Sequence, residues 1–290
     1  MKYLSYLYLL IASTFQMNAN AQTLRGQVVD SLTRLPIAYA NIGVIGKNAG
    51  TVSDETGKFE LALSALAPTD TLRISMIGYS TKDYILESIH TSGEHILFNL
   101  SERAYELKEI IVKPSNSTNL VLGIAEKSCY PIPLYKGARS QIAIPSNELG
   151  QEIGTRFTNK VGLLKLDSVQ LNFAKCLYDT VTFRLNIYSI SKTGMQNILK
   201  KGLYVSLSKD QILNSPKIDL SNENVFVDSD FAITIENIKN SGGLGLYFFA
   251  NFNSKGEKYP TIFRPSSHSN WTVLKHKSKP LGISILTSVN

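Results

Sequence analysis

Gly50-Thr51-Val52-Ser53-Asp54-Glu55-Thr56-Gly57-Lys58-Phe59-Glu60-Leu61 carries a turn followed by a strand. Asp54 stands three residues ahead of Gly57. An Asp side chain caps such a turn and a glycine accepts φ > 0, so the pair has hairpin chemistry. Phe59, Leu61 and Leu63 alternate with Glu60 and Ala62, which predicts a strand buried on one face. Asp54 is read as the turn cap and not as a calcium ligand. Calcium takes several clustered oxygens, and only Glu55 stands beside it.

On either side the same grammar repeats. Leu24 to Val29 is a strand candidate ended by Asp30 and Ser31, and Pro36 opens the run Ile37 to Ile45. Thr71 to Met76 and Tyr79 to Leu86 flank Gly78, and His95 to Leu100 closes the set. About seven short strands separated by turn residues predict a small β-sandwich. Val28, Ile42, Val44, Phe59, Leu61, Leu72 and Ile74 are its core candidates. Tyr79 is expected to pack an edge of the sandwich.

An ordered series of motif pieces runs through this region: Gly26-x-Val28-x-Asp30, Thr33, Pro36, Ala40-Asn41-Ile42-x-Val44, Gly50-Thr51-x-Ser53-Asp54-x-x-Gly57-x-Phe59 and Ile77-Gly78-Tyr79. Over residues 24–100 the series resembles the carboxypeptidase regulatory-like domain. The resemblance implies a transthyretin-like sandwich of seven strands. It also implies a place in the Gram-negative envelope, where such domains precede other modules, TonB-dependent outer-membrane receptors among them. It implies no hydrolysis, because the zinc ligands of a carboxypeptidase belong to a separate catalytic domain. Leu107 to Val112 resembles the short strand that follows the domain in those receptors. Pro114-Ser115-Asn116-Ser117-Thr118 is a linker by composition. The remaining chain lacks the long series of alternating segments that a membrane barrel needs.

Residues 1–21 are expected to be a cleaved signal peptide. Lys2 is followed by an apolar, aromatic-rich run from Tyr3 to Phe15, and Ala19-Asn20-Ala21 supplies an A-x-A site. The run is too short to span a hydrocarbon core, which takes about 20 apolar residues. The mature chain would begin at Gln22, not at a cysteine, which argues against a lipoprotein. The expectation is an exported protein, periplasmic, associated with the outer membrane or extracellular, with no transmembrane segment in the mature chain.

The formal charge of +7 falls to +6 without Lys2. The excess admits an anionic partner, but the charges are scattered. The densest group, Lys275, His276, Lys277 and Lys279, is read as a solvated loop, and no nucleic-acid partner is expected. Cys129 and Cys176 are the two cysteines. A disulfide and two buried thiols both remain open, and their spacing fits no metal site.

The chain divides into the signal (1–21), the first sandwich (22–100), a connector (101–118) and a second domain (119–290). The second domain again reads as strands: Gly154 to Phe157, Lys165 to Phe173, Thr180 to Ile190, Gly202 to Leu207, Lys217 to Leu220, Val225 to Val227, Phe231 to Ile238, Leu244 to Asn253 and Trp271 to Leu274. Val181, Phe183, Leu185 and Ile187 alternate with Thr182, Arg184, Asn186 and Tyr188, a strand signal. Met195 to Lys200 reads as a helical turn. The expected fold is all-β, the second domain being a larger antiparallel sandwich of jelly-roll type. Leu244 to Phe252 is read as a central strand covered on both faces. Trp271, Tyr259, Tyr247 and His268 are the candidate ligand-binding residues, since a sugar-binding jelly roll presents aromatic rings for stacking.

None of the four histidines, His90, His95, His268 and His276, sits in a zinc motif. No nucleophile elbow or phosphate-binding glycine loop is present. Gly242-Gly243-x-Gly245 lies between strands and opens no helix. No catalytic residue, metal or cofactor is expected. The leading reading is a non-catalytic envelope protein, a binding or assembly module whose partner is an envelope protein or a glycan. A carbohydrate-binding jelly roll is the first rival. The second is a hydrolase in the second domain with carboxylates paired across strands, a pairing that one sequence does not reveal.

Overall fold

The computed structural model describes residues 23–64, 66–89, 96–103, 118–124, 143–145, 149–239, 244–248, 258–274 and 280–289. The expected signal peptide, Cys129, most of the connector and the 275–279 part of the basic cluster lie outside these residues.

The first sandwich contains β1 (Thr23–Asp30), β2 (Asn41–Val44), β3 (Gly50–Val52), β4 (Lys58–Ala62), β5 (Thr71–Ser75), β6 (Lys82–Ile85) and β7 (Ile96–Leu100). They form a three-stranded sheet, β4-β1-β7, and a four-stranded sheet, β3-β2-β5-β6. β1 pairs antiparallel with β4 and parallel with β7. The turn before β4 is built as its chemistry requires. Asp54 Oδ1 accepts hydrogen bonds from the backbone N–H of Thr56 and Lys58 and from the Thr56 hydroxyl, while Gly57 takes φ 76°. Val28, Ile42, Val44, Phe59, Leu61, Leu72 and Ile74 meet between the sheets with Phe98 and Leu100. Each such buried side chain contributes about 1.5–3 kcal/mol of transfer free energy.

The second sandwich is built from β8 (Thr118–Gly123), β9 (Ala143–Pro145), β10 (Glu152–Phe157), β11 (Leu164–Leu171), β12 (Phe173–Cys176), β13 (Thr180–Ser191), β14 (Gly194–Asn197), β15 (Leu203–Ser208), β16 (Lys217–Asp219), β17 (Phe226–Val227), β18 (Phe231–Asn237), β19 (Leu244–Phe248), β20 (Thr261–Arg264), β21 (Thr272–Val273) and β22 (Ile283–Val289). A seven-stranded sheet runs β14-β13-β18-β10-β20-β21, with β15 also on β13. A five-stranded sheet runs β16-β11-β22-β8, with β17 on β11, and a small third sheet runs β12-β19-β9. The apolar faces pack into one core holding Phe157, Leu166, Val169, Phe183, Ile233 and Ile285. The fold is all-β, as expected, with seven strands in the first sandwich and antiparallel sheets in the second.

One local expectation needs correction, and some elements were not expected. Met195 to Lys200 is not a helical turn: Gly194–Asn197 pairs antiparallel with Tyr188–Ser191, and Ser191 Oγ accepts from the Thr193 N–H in the tight turn between them. The short helix lies instead at Lys209–Leu213, opened by a capping box between Ser208 and Gln211. β20 and β22 carry no strong alternation, yet both are interior strands of their sheets.

Cys176 is buried, and its thiol donates to the Tyr178 carbonyl at 3.4 Å. Leu246, Tyr247 and Phe248 are all buried, so this part of β19 is covered on both faces.

Candidate functional site

β13 has two dissimilar faces, and both are buried. Val181, Phe183, Leu185 and Ile187 enter the sandwich core. On the opposite face Arg184, Asn186 and Tyr188 are 2%, 1% and 7% exposed. A strand with alternating polarity ordinarily leaves its polar face in water. This one is covered by the first sandwich.

The registers of the seven-stranded sheet place four charges in one row. Arg184 stands opposite Glu236, Glu236 opposite Glu152, and Glu152 opposite Arg264. The order across β13, β18, β10 and β20 is positive, negative, negative, positive. Two adjacent carboxylates would repel, so each needs a cation and hydrogen-bond donors. Arg184 Nη2 lies 2.7 Å and Nε 3.0 Å from Glu236 Oε2. Arg264 Nη2 lies 2.5 Å from Glu152 Oε2 and 3.7 Å from Glu236 Oε1. Asn186 Nδ2 donates to both carboxylates, at 2.9 and 2.8 Å. The hydroxyls of Tyr188 and Thr234 also donate to Glu152.

Both glutamates are fully buried. Burial pushes the Glu236 carboxyl up, but the charges of Arg184 and Arg264 and the Arg184 and Asn186 hydrogen bonds outweigh it and hold the pKa below its ordinary value. Burial, then the Glu152 charge, pushes the Tyr188 phenol well above its usual value, which keeps it a donor.

The first sandwich extends this network, in which Glu236 Oε1 and Arg264 Nε have no hydrogen-bond partner. Arg184 Nη1 donates to the Tyr39 carbonyl at 2.8 Å, and Nη2 donates to Asn41 Oδ1. Tyr39 holds φ 59°, its ring lies 5.2 Å from that of Tyr204, and its hydroxyl donates to Glu55, which pairs with Lys239 at 2.9 Å. On the far side of the row, the loop after β20 seats against the β2–β3 hairpin. Gly46 N–H donates to the His268 carbonyl at 3.0 Å. Gly43 and Gly50 face the Ser267 backbone so closely that a Cβ at either would overlap its carbonyl oxygen.

Beside the network the two sandwiches enclose an open cleft of about 410 Å³. Arg73, Arg103, Arg184, Arg264 and His268 line it, and among the described residues no aspartate or glutamate does. The Ser75 hydroxyl lies 3.3 Å from His268 Nε2. Burial, and then the positive charge of Arg264, lowers the His268 pKa to about 3, so the ring is neutral near pH 7.

The four aromatic and histidine candidates do not share a face. His268 lines the cleft. Trp271 is half-buried, edge-on to Tyr188 at 5.7 Å, with the Arg264 guanidinium 5.0 Å from its ring. Tyr259 is buried and packs on Phe157 at 5.7 Å. Tyr247 is buried in the small third sheet beneath Lys175. Arg184, Glu236, Glu152 and Arg264 were not singled out in the sequence. Their signal is a charged residue at the outward phase of an otherwise apolar strand.

Residues 24–112 match the family model described as CarboxypepD_reg-like domain. The chain therefore carries a carboxypeptidase regulatory-like domain, and the seven-stranded sandwich is that domain. No curated protein matches the chain. Among solved structures, a match is to the crystal structure of the infectious bursal disease virus VP2 subviral particle, at 10% identity over 92% of this chain and 63% of that one, with a TM-score of 0.19. A likeness of that degree carries no argument. Among the described residues no helix is long and apolar enough to cross a membrane, and no group of His, Cys, Asp and Glu is placed to hold a metal ion.

Proposed function

We propose that this protein is an exported, non-catalytic binding or assembly module of the cell envelope. In it the two sandwiches act as one rigid body and the cleft between them is the recognition surface. One observation carries the reading: the guanidinium of Arg184, from the second sandwich, is shared between Glu236 of its own sheet and Tyr39 and Asn41 of the first. Such a joint fixes the cleft walls, and a preformed concavity lowers the ordering cost of binding.

The groups that would support a hydrolase argue for the non-catalytic reading instead. Glu152 and Glu236 are paired carboxylates, but both are sealed from solvent. A general acid needs a raised pKa, and that of Glu236 is lowered. Ser75 and His268 are in contact, but a serine nucleophile needs its histidine to become imidazolium. Burial, Arg264 and Arg73 all disfavour that cation.

A photo-reactive residue placed at Thr81, which lines the cleft and is exposed, tests the reading in intact cells of the native source. The same probe at Lys58, on the outer edge of the first sandwich, is the control. A single envelope component captured from Thr81 alone is the expected result. Equal capture from both positions, or capture of cytoplasmic components, would contradict it. Mass spectrometry of the purified mature chain should find Gln22 at its N-terminus.

A further inference from the structure

We infer that the cleft takes an acidic saccharide, a sugar bearing a carboxylate or sulfate group. The inference rests on the reading of the cleft as a recognition surface and adds the chemistry of the occupant. Four arginines line the cleft, and the carboxylates that balance Arg184 and Arg264 are fully buried and do not line it. The cationic ends of these pairs therefore face the concavity while the anionic ends are withdrawn into the sheet. Among the described lining residues every charge is positive, with Asp83 paired to Arg73, and such a cleft focuses its field on an incoming anion.

His268 lines the cleft beside these arginines, and after burial the charges of Arg264 and Arg73 lower its pKa while the Asn41 backbone and Glu236 act the other way. Arg184 and Arg264 expose little surface and act through this field. Direct contact falls to Arg73, whose side chain is 38% exposed. Arg73 is held bidentately by Asp83 at 2.8 and 2.7 Å. Asp83 thus occupies the fork geometry that a ligand carboxylate or sulfate would use.

The other accessible lining groups point to a saccharide over a peptide. Gln196 and Asn197 of β14, with Ser75 and Thr81, place amides and hydroxyls round the mouth. These match sugar hydroxyls as both donors and acceptors. A volume of about 410 Å³ suits one small ligand, not a long extended chain.

Calorimetric titration of the full mature protein would use digalacturonate, sulfated chondroitin disaccharide, neutral cellobiose and inorganic sulfate as probes. The expected result is binding of one or both acidic sugars, weakened by added salt, with cellobiose and inorganic sulfate at least about tenfold weaker. The two acidic probes separate carboxylate from sulfate recognition. Arg73→Gln should weaken binding about tenfold, the effect of losing one charge-assisted hydrogen bond. Asp83→Asn should strengthen binding by releasing Arg73, and Arg25→Gln on the opposite sheet should leave it unchanged. A merely structural role for the Arg73–Asp83 pair would move both variants in the same direction, which would overturn the inference. Equal binding of cellobiose and digalacturonate would overturn it too, as would no binding of any acidic probe. If Thr81 captures a protein partner while every sugar fails, the cleft remains a recognition surface and only the saccharide assignment falls.

Discussion

Arg184 in β13 donates to the side-chain carbonyl of Asn41 in β2, across 143 residues of chain. The same guanidinium holds the fully buried Glu236. A single side chain therefore closes an ion pair inside one sandwich and fastens the other sandwich over it. Burying two carboxylates and two guanidiniums has a large desolvation cost, offset only when every charge is paired and hydrogen-bonded. Asn41 and the Tyr39 carbonyl supply acceptors for the Arg184 guanidinium that the second domain does not, although Glu236 Oε1 and Arg264 Nε stay without a hydrogen-bond partner.

Arg184→Met should therefore destabilise the protein by about 3–5 kcal/mol, the range for removing one partner of a buried pair. Urea denaturation followed by tyrosine and tryptophan fluorescence measures it. Arg184→Lys should recover little, because an ammonium does not span Glu236, Tyr39 and Asn41 with a planar fork.

Asn41→Ala removes an acceptor from the Arg184 guanidinium and should cost about 1–3 kcal/mol. Asn41 and Arg184 touch, so their effects should not add. A double-mutant cycle should return a coupling of about 0.5–3 kcal/mol. Additivity would mean that the contact does not join the domains.

Gly43→Ala places a Cβ against the Ser267 carbonyl oxygen. The overlap is with backbone, which has no rotamer to yield, so a cost of about 1–3 kcal/mol is expected. Thermal unfolding should show it. A neutral result would mean that the loop after β20 does not seat on the β2–β3 hairpin.

Acid should loosen the joint in two stages. His268 has a folded pKa of about 3 against an ordinary 6.5. Its contribution is fully present above about pH 6.5 and is lost as pH falls from there toward 3, by up to about 1.4 kcal/mol per unit. Glu236 has a folded value below its ordinary 4.5, so its contribution is present above that value and is lost as pH falls further. His268 holds φ 64°, which asparagine tolerates better than most residues. His268→Asn should fold and should show a flatter dependence of Tm on pH between 6.5 and 4.5. An unchanged slope would exclude His268 as its source.

The first sandwich was legible because its signals are local. Asp54 and Gly57 announce their own turn, and Phe59 and Leu61 announce the phase of β4. The alternation of β13 was equally plain and set Arg184, Asn186 and Tyr188 on the face away from the core. Nothing in that strand says what covers the face, since its cover lies in Tyr39, Asn41 and the loop around His268. The row Arg184, Glu236, Glu152, Arg264 was hidden for the same reason: it exists only through the registers of four strands. Trp271 and Tyr259 read as candidate stacking rings because sequence does not distinguish an exposed aromatic from one packed on Tyr188 or Phe157. Gly194–Asn197 was misread as a helical turn because its identity comes from pairing with Tyr188–Ser191.

Differential scanning calorimetry of the protein with both sandwiches present, run beside Arg184→Met, tests the joint between the sandwiches most directly. The wild-type protein should unfold in one transition, with calorimetric and van't Hoff enthalpies equal. The variant should unfold in two, as the sandwiches separate before they melt. Two resolved transitions in the wild-type protein would contradict the account, because the sandwiches would then be independent and the cleft between them would have no fixed walls.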